Sequence, residues 1–255
     1  MRTVIHHRPV ATEAVRRALM TVQRGRTRRT WLLRAGMASV AVYAAGDLHS
    51  GRSYEGYSFR DQAISELSAY GSPVRSGAVR WIAIHGLLES AFGVGVWQSA
   101  GGSRSLRWTA GLSLAAGVVT APLHPFFPMS TRGMEPGFND TMHQILTLAF
   151  VPLTCGAVAA SAVARPGWFR RYATASLAVI VGSGGLMAPL MSALAENRPT
   201  PWLGALERVN AYTMHAWTVV LAGVLMHRPL TAAGAGPVGG VGGGHRRGVG
   251  VAQEA

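Results

Sequence analysis

The chain has a single cysteine and no lysine. Cys155 lies inside an apolar run, so neither a disulfide framework nor a CxxC metal site is available. All 24 basic residues are arginine, which reads as a GC-rich coding bias rather than a design feature. Charge is scarce, at 14% of residues against 49% hydrophobic. A soluble domain of this length needs more polar surface, and the apolar runs approach the length of a bilayer-spanning helix. Also missing are an HExxH or HxxxH pair within one helix and a GxSxG elbow, so neither a zincin nor a serine hydrolase announces itself.

The net charge of +13 would suggest nucleic acid in a soluble domain. Here the arginines crowd the ends of apolar runs, where membrane topology and anionic lipid account for them, and nucleic-acid binding is discounted. Membrane lipids are the expected partners. Residues 1–30 hold Arg2, Arg8, Arg16, Arg17, Arg24, Arg26, Arg28 and Arg29, with Val10, Ala14, Ala18, Leu19 and Val22 spaced as an amphipathic helix. This reads as a cytoplasmic, membrane-surface segment. A signal peptide would need a shorter charged region and a cleavage site after Trp31.

The expected fold is all-α: an integral membrane bundle of six transmembrane helices over residues 31–228, with a short helix on the outer surface. Spans are predicted near 31–49, 78–98, 107–123, 140–164, 172–194 and 206–226, the third short, the fourth and fifth interrupted by Pro152 and Pro189. The N-terminal arginines, the 104–107 turn, "ARPGWFRR" (164–171) and the C-terminal tail fall on one side. The positive-inside rule makes that side cytoplasmic and the protein a multi-pass plasma-membrane protein with both termini inside. Residues 229–255 are Gly-rich and predict a disordered tail.

Most acids and histidines fall in the outward half. Asp47 and His49 end span one, His85 and Glu89 lie in span two, His124 ends span three, Asp140 and His143 open span four, and His215 lies in span six. At about 1.5 Å per residue, a span starting near Ala78 puts His85 roughly 10 Å and Glu89 roughly 16 Å below the outer surface. An ionised carboxylate near the midplane must be paired, hydrated or protonated. His85 and Glu89 are i and i+4, Asp140 and His143 are i and i+3, so each pair shares a helix face. A polar outward pocket of Glu66, His85, Glu89, His124, Asp140, His143 and His215 is the expectation. The competing reading is a purely structural pair pinning span two to a neighbour. Zinc is a second alternative, with His85, His143 and His215 as ligands of an intramembrane hydrolase. Axial haem ligation fits less well, because the predicted histidine depths scatter. Small residues such as Gly182, Gly184 and Gly185 permit close helix packing but leave the oligomeric state open.

Between spans one and two, "SFRDQAISELSAYG" has S-x-x-D spacing at Ser58 and Asp61, a shared face at Ile64 and Leu67, and a stop at Gly71. It predicts a short helix over 58–71 on the membrane surface, with Glu66 turned toward His85, His124 and His143. The run "GYSFRDQAISELSAYGSP" (56–73), followed by "HPFFPMSTRG" (124–133) and "NDTMHQ" (139–144), resembles the bacterial multispan family known as domain of unknown function nine-nine-eight. The resemblance covers roughly residues 31–226. It implies a six-helix membrane protein and carries no activity, substrate or cofactor.

Overall fold

The computed structural model describes residues 10–227; the predicted tail and the first nine residues lie outside them. Among the described residues the fold is all-helical, without a strand. Six α-helices make it: α1 (Val10–Ser53), α2 (Arg75–Ser99), α3 (Arg104–Val118), α4 (Phe138–Ala164), α5 (Trp168–Ala195) and α6 (Leu203–His227). Each packs on the next in chain order, and α6 closes on α1, so the helices form a ring. One end carries the loops after α1, α3 and α5 and is called the roof. The opposite end carries most of the arginines.

Local chemistry explains most helix ends. The Ser103 hydroxyl accepts the Leu106 N–H to start α3. Pro122 has no N–H to donate, and there the helix widens into a π turn, Val119–Leu123, before a 3-10 turn, His124–Phe126. Asp140 accepts the Gly137 N–H at 2.8 Å and caps α4. Gly71, at φ +88°, makes the left-handed turn expected of it.

The dry core sits at the arginine end, where Leu33, Phe92, Leu106, Val158, Phe169 and Leu221 pack together. There α1 and α2 touch backbone to backbone: a Cβ on Gly95 would meet the Leu32 carbonyl carbon and the Leu33 nitrogen at 3.0 Å. Further up, Asn210 of α6 donates to the Ile180 carbonyl (2.7 Å) and the Ser183 hydroxyl (2.9 Å) of α5. Large apolar side chains such as Leu87, Leu148 and Leu186 point outward into the surroundings instead of into the ring. Exposed Trp31, Trp97, Trp108 and Trp168 gather at the arginine end.

Three helices, not six, are long and apolar enough on their own to cross a membrane: Phe138–Ala164, Trp168–Ala195 and Leu203–His227. The others fall short for identifiable reasons. Helix α1 carries Arg34 and Asp47 and continues without a break into the arginine segment, α2 carries Arg80, His85 and Glu89, and α3 has only 15 residues before its π turn.

The predicted 58–71 helix is shorter. Ser58 and Asp61 form a separate turn, Asp61 N–H to Ser58 hydroxyl at 3.2 Å. The helical part is a 3-10 turn, Ile64–Ser68, capped at Ala63 because Glu66 folds back onto the Ala63 N–H at 2.8 Å. It packs on α1, α2 and α6, with Leu67 buried, and so closes the roof.

Candidate functional site

Two ion-paired networks, a stacked histidine pair and one cluster inside the ring hold most of the polar residues. In the roof, Glu66 is buried and accepts both arms of Arg132, Nε to Oε2 and Nη2 to Oε1 at 2.8 Å each. Arg132 Nη2 also donates to the Thr200 hydroxyl (2.9 Å) and the Asp61 carbonyl (3.2 Å). The loop after α3 is thus tied to both other roof loops. Glu66 therefore pairs with an arginine, where a histidine was expected. The Asp61 carboxylate accepts the Trp202 N–H (3.0 Å) and the Arg60 guanidinium (2.8 Å). Arg60 holds its pKa down to about 2.

Just below, Arg208 of α6 grips Asp47 of α1, Nη2 to Oδ1 at 2.6 Å and Nε to Oδ2 at 3.1 Å, while Tyr212 donates to Asp47 at 3.0 Å. Arg208 also donates to the Phe59 carbonyl (2.8 Å) and the Tyr57 hydroxyl (3.0 Å), and its guanidinium lies 4.7 Å from the Phe59 ring centroid. Glu207 accepts the Ile64 N–H. Burial raises the Tyr57 phenol, which donates to the Ala63 carbonyl at 2.9 Å.

The predicted pocket residues divide into two groups. His124 and His143 stack at the roof, centroids 4.8 Å apart and planes 18° apart, with the His143 Nδ1 3.0 Å from the Phe127 carbonyl. Burial, with the neighbouring His143, pushes His124 down to about 4. Asp140 is occupied by Ser130, through its N–H (2.7 Å) and hydroxyl (2.8 Å), besides Gly137. Its role in the structure is to shape the loop. Asp140 and His143 edge a roof cleft whose empty space, its open side included, is about 540 Å³, with Arg132, Gln144 and Asn197.

His85, Glu89 and His215 form the other group, inside the ring. His85 and His215 meet edge to face at 5.0 Å, and Tyr43 of α1 contacts both, at 5.1 and 4.2 Å. Ser39 of α1 joins the pair on α2: its carbonyl lies 3.1 Å from His85 Nδ1 and its hydroxyl 2.9 Å from Glu89 Oε2. Thr218 of α6 reaches Glu89 Oε1 at 3.4 Å. His85, Glu89 and His215 line a cleft whose empty space, its open side included, is about 490 Å³, with Phe150 and Trp217 among its apolar walls.

His143 does not line that cleft, so the proposed zinc trio of His85, His143 and His215 is divided between the two groups. Among the described residues no group of three His, Cys, Asp or Glu is placed to hold a metal ion. Arg132, Asp47, Arg208, Glu207, Tyr43 and Ser39 were not foreseen as site residues. The available signal was the adjacent Glu207 and Arg208 inside the predicted sixth span, 206–226.

The match that decides the family covers residues 37–224, described as a protein of unknown function (DUF998). The chain belongs to that family. No curated protein and no solved structure matches it. The stretch shared with the DUF998 family contains both ion-paired networks and the His85–Glu89–His215 cleft, and leaves out the arginine-rich start of α1.

Proposed function

We propose that this DUF998 protein crosses the plasma membrane six times with both termini in the cytoplasm, and that the His85–Glu89–His215 cleft binds or moves a small polar or lipid-derived ligand. Closure of the ring supports six crossings. Helices α1 to α3 pack side by side with α4 to α6, so their polar residues can face one another while apolar side chains face lipid. The tryptophans and arginines at one end match an interfacial belt on the positive, inner side.

The observation carrying the ligand reading is that one carboxyl and two imidazoles, from two helices, border a single cleft within an otherwise apolar bundle. A structural pair would close over itself. This group keeps open space beside it, where binding of a ligand supplies the missing partners. Native mass spectrometry of the full chain extracted in mild detergent tests this. A small molecule retained by the wild type and lost from Glu89→Gln supports the reading. Identical, ligand-free spectra for both, together with unchanged thermal stability on adding membrane extracts, reject it.

A further inference from the structure

The hydrogen-bond inventory of the cleft restricts what it can hold. Ser39 has one hydroxyl proton and two close oxygens, the Gly36 carbonyl at 2.7 Å and Glu89 Oε2 at 2.9 Å. Either can take it, and the Thr218 hydroxyl, 3.4 Å from Oε1, is the other donor beside Glu89. No ion pair reaches it among the described residues, and a neutral carboxyl is the form a low-dielectric bundle tolerates.

The other lining groups have mostly given their protons away. Thr120 donates to the Ala116 carbonyl (3.0 Å) and Thr154 to the Phe150 carbonyl (3.1 Å), so both leave lone pairs. Trp217 gives its N–H to Ser161 at 3.0 Å. His85 must donate from Nδ1 to the Ser39 carbonyl, which leaves Nε2 an acceptor in the neutral ring. Ser113 is 4% exposed, lines the same cleft, and its hydroxyl has no hydrogen-bond partner. The cleft is rich in acceptors and has no arginine in its wall. An anion would find no countercharge there. A group with several N–H donors and a positive charge would find a carboxyl, an imidazole nitrogen, hydroxyl oxygens and the aromatic side chains of Trp217 and Phe150.

We infer that the cleft binds the primary ammonium group of an apolar-bodied amine, taken up at Glu89 in exchange for the carboxyl proton. This rests on the reading of the cleft as a ligand site. In the exchange the Glu89 O–H bond breaks, the proton passes to solvent, and the new carboxylate accepts an N–H from the ammonium. The cleft is neutral before and after, which avoids placing an unpaired charge in the bundle. The titratable groups that line the cleft with Glu89 are His85 on α2 and His215 on α6, with Tyr43 of α1 against both rings; α3 and α4 contribute hydroxyls and apolar side chains.

The test uses the full chain purified in detergent and a matched set of probes: n-hexylamine, hexan-1-ol and hexanoate, titrated by calorimetry in weakly buffered solution with a pH indicator. Octadecylamine in reconstituted vesicles forms a second arm. The expected result is that amine binds, the alcohol and carboxylate do not, and one proton is released per amine. The infrared carbonyl stretch of a protonated carboxyl should disappear on binding and be absent from Glu89→Gln, which should lose affinity about a hundredfold. Ser113→Ala removes only an unpartnered hydroxyl and should weaken the amine about tenfold without changing the infrared band. Binding of both amines points to a soluble source and binding of octadecylamine alone to a membrane source; either supports the ammonium class. Glu89-dependent binding of the alcohol or carboxylate in place of the amine overturns the ammonium class and leaves the ligand site standing. Amine binding without proton release overturns the exchange. If no probe binds, the ammonium class falls, and if no small molecule is retained on extraction either, the ligand site falls with it.

Discussion

Arg208 and Asp47, 161 positions apart in the chain, close the helix ring through a two-armed ion pair, with Asp47 2% and Arg208 14% exposed at the side chain. The pair joins the last helix to the first. It also receives Tyr57 and Phe59 from the roof, so closure of the ring and seating of the roof depend on one guanidinium. Removing one partner leaves the other charge buried and unpaired. Arg208→Met or Asp47→Asn is therefore expected to cost about 3–5 kcal/mol, and the double replacement less than the sum of the two. Thermal unfolding in a fixed detergent measures the cycle; additive losses would show the two residues act independently.

Arg132 holds the loop after α3 to Glu66, Asp61 and Thr200. Arg132→Ala should release that loop while the bundle stays folded. Hydrogen exchange over residues 127–137 is expected to lose protection, with α4 to α6 unchanged. Glu66→Gln, which keeps hydrogen bonding and loses the charge, should give a smaller change in the same segment. Equal protection in wild type and Arg132→Ala would mean the loop is held by other contacts.

His124 makes the roof sensitive to acid. Its folded pKa of about 4 lies below the ordinary 6.5, so the unfolded chain takes up the proton first and folding loses stability as pH falls. The loss begins below about 6.5 and is complete near 4, below which both states are protonated at this site. His124→Gln removes the term, and its stability profile should be flatter than wild type between those values. A wild-type profile unchanged by the substitution would assign acid sensitivity elsewhere.

Reporter fusions at residues 28 and 235 should both report the cytoplasm, because most arginines and four of the five exposed tryptophans among the described residues share one end of the bundle. An external signal from either fusion would end the six-crossing topology.

Composition and periodicity alone determined that the chain is helical and apolar, and where the arginines gather. They also determined that His85 and Glu89 share a face of α2, because a helix repeat is set by local geometry. Gly71 was legible for the same reason: its left-handed turn is a property of the residue. Partner choice was not local. Glu66 meets Arg132 from a loop 66 residues away, Asp47 meets Arg208 across the ring, and Ser39 connects His85 and Glu89. Each of these depends on the rotation and height of one helix against another, which packing decides. The histidines divided on the same principle: His143, at the start of α4, stands level with His124, while His215, a dozen residues into α6, stands level with His85. Sequence could name the polar residues of an apolar helical bundle; only the tertiary structure could bring them together.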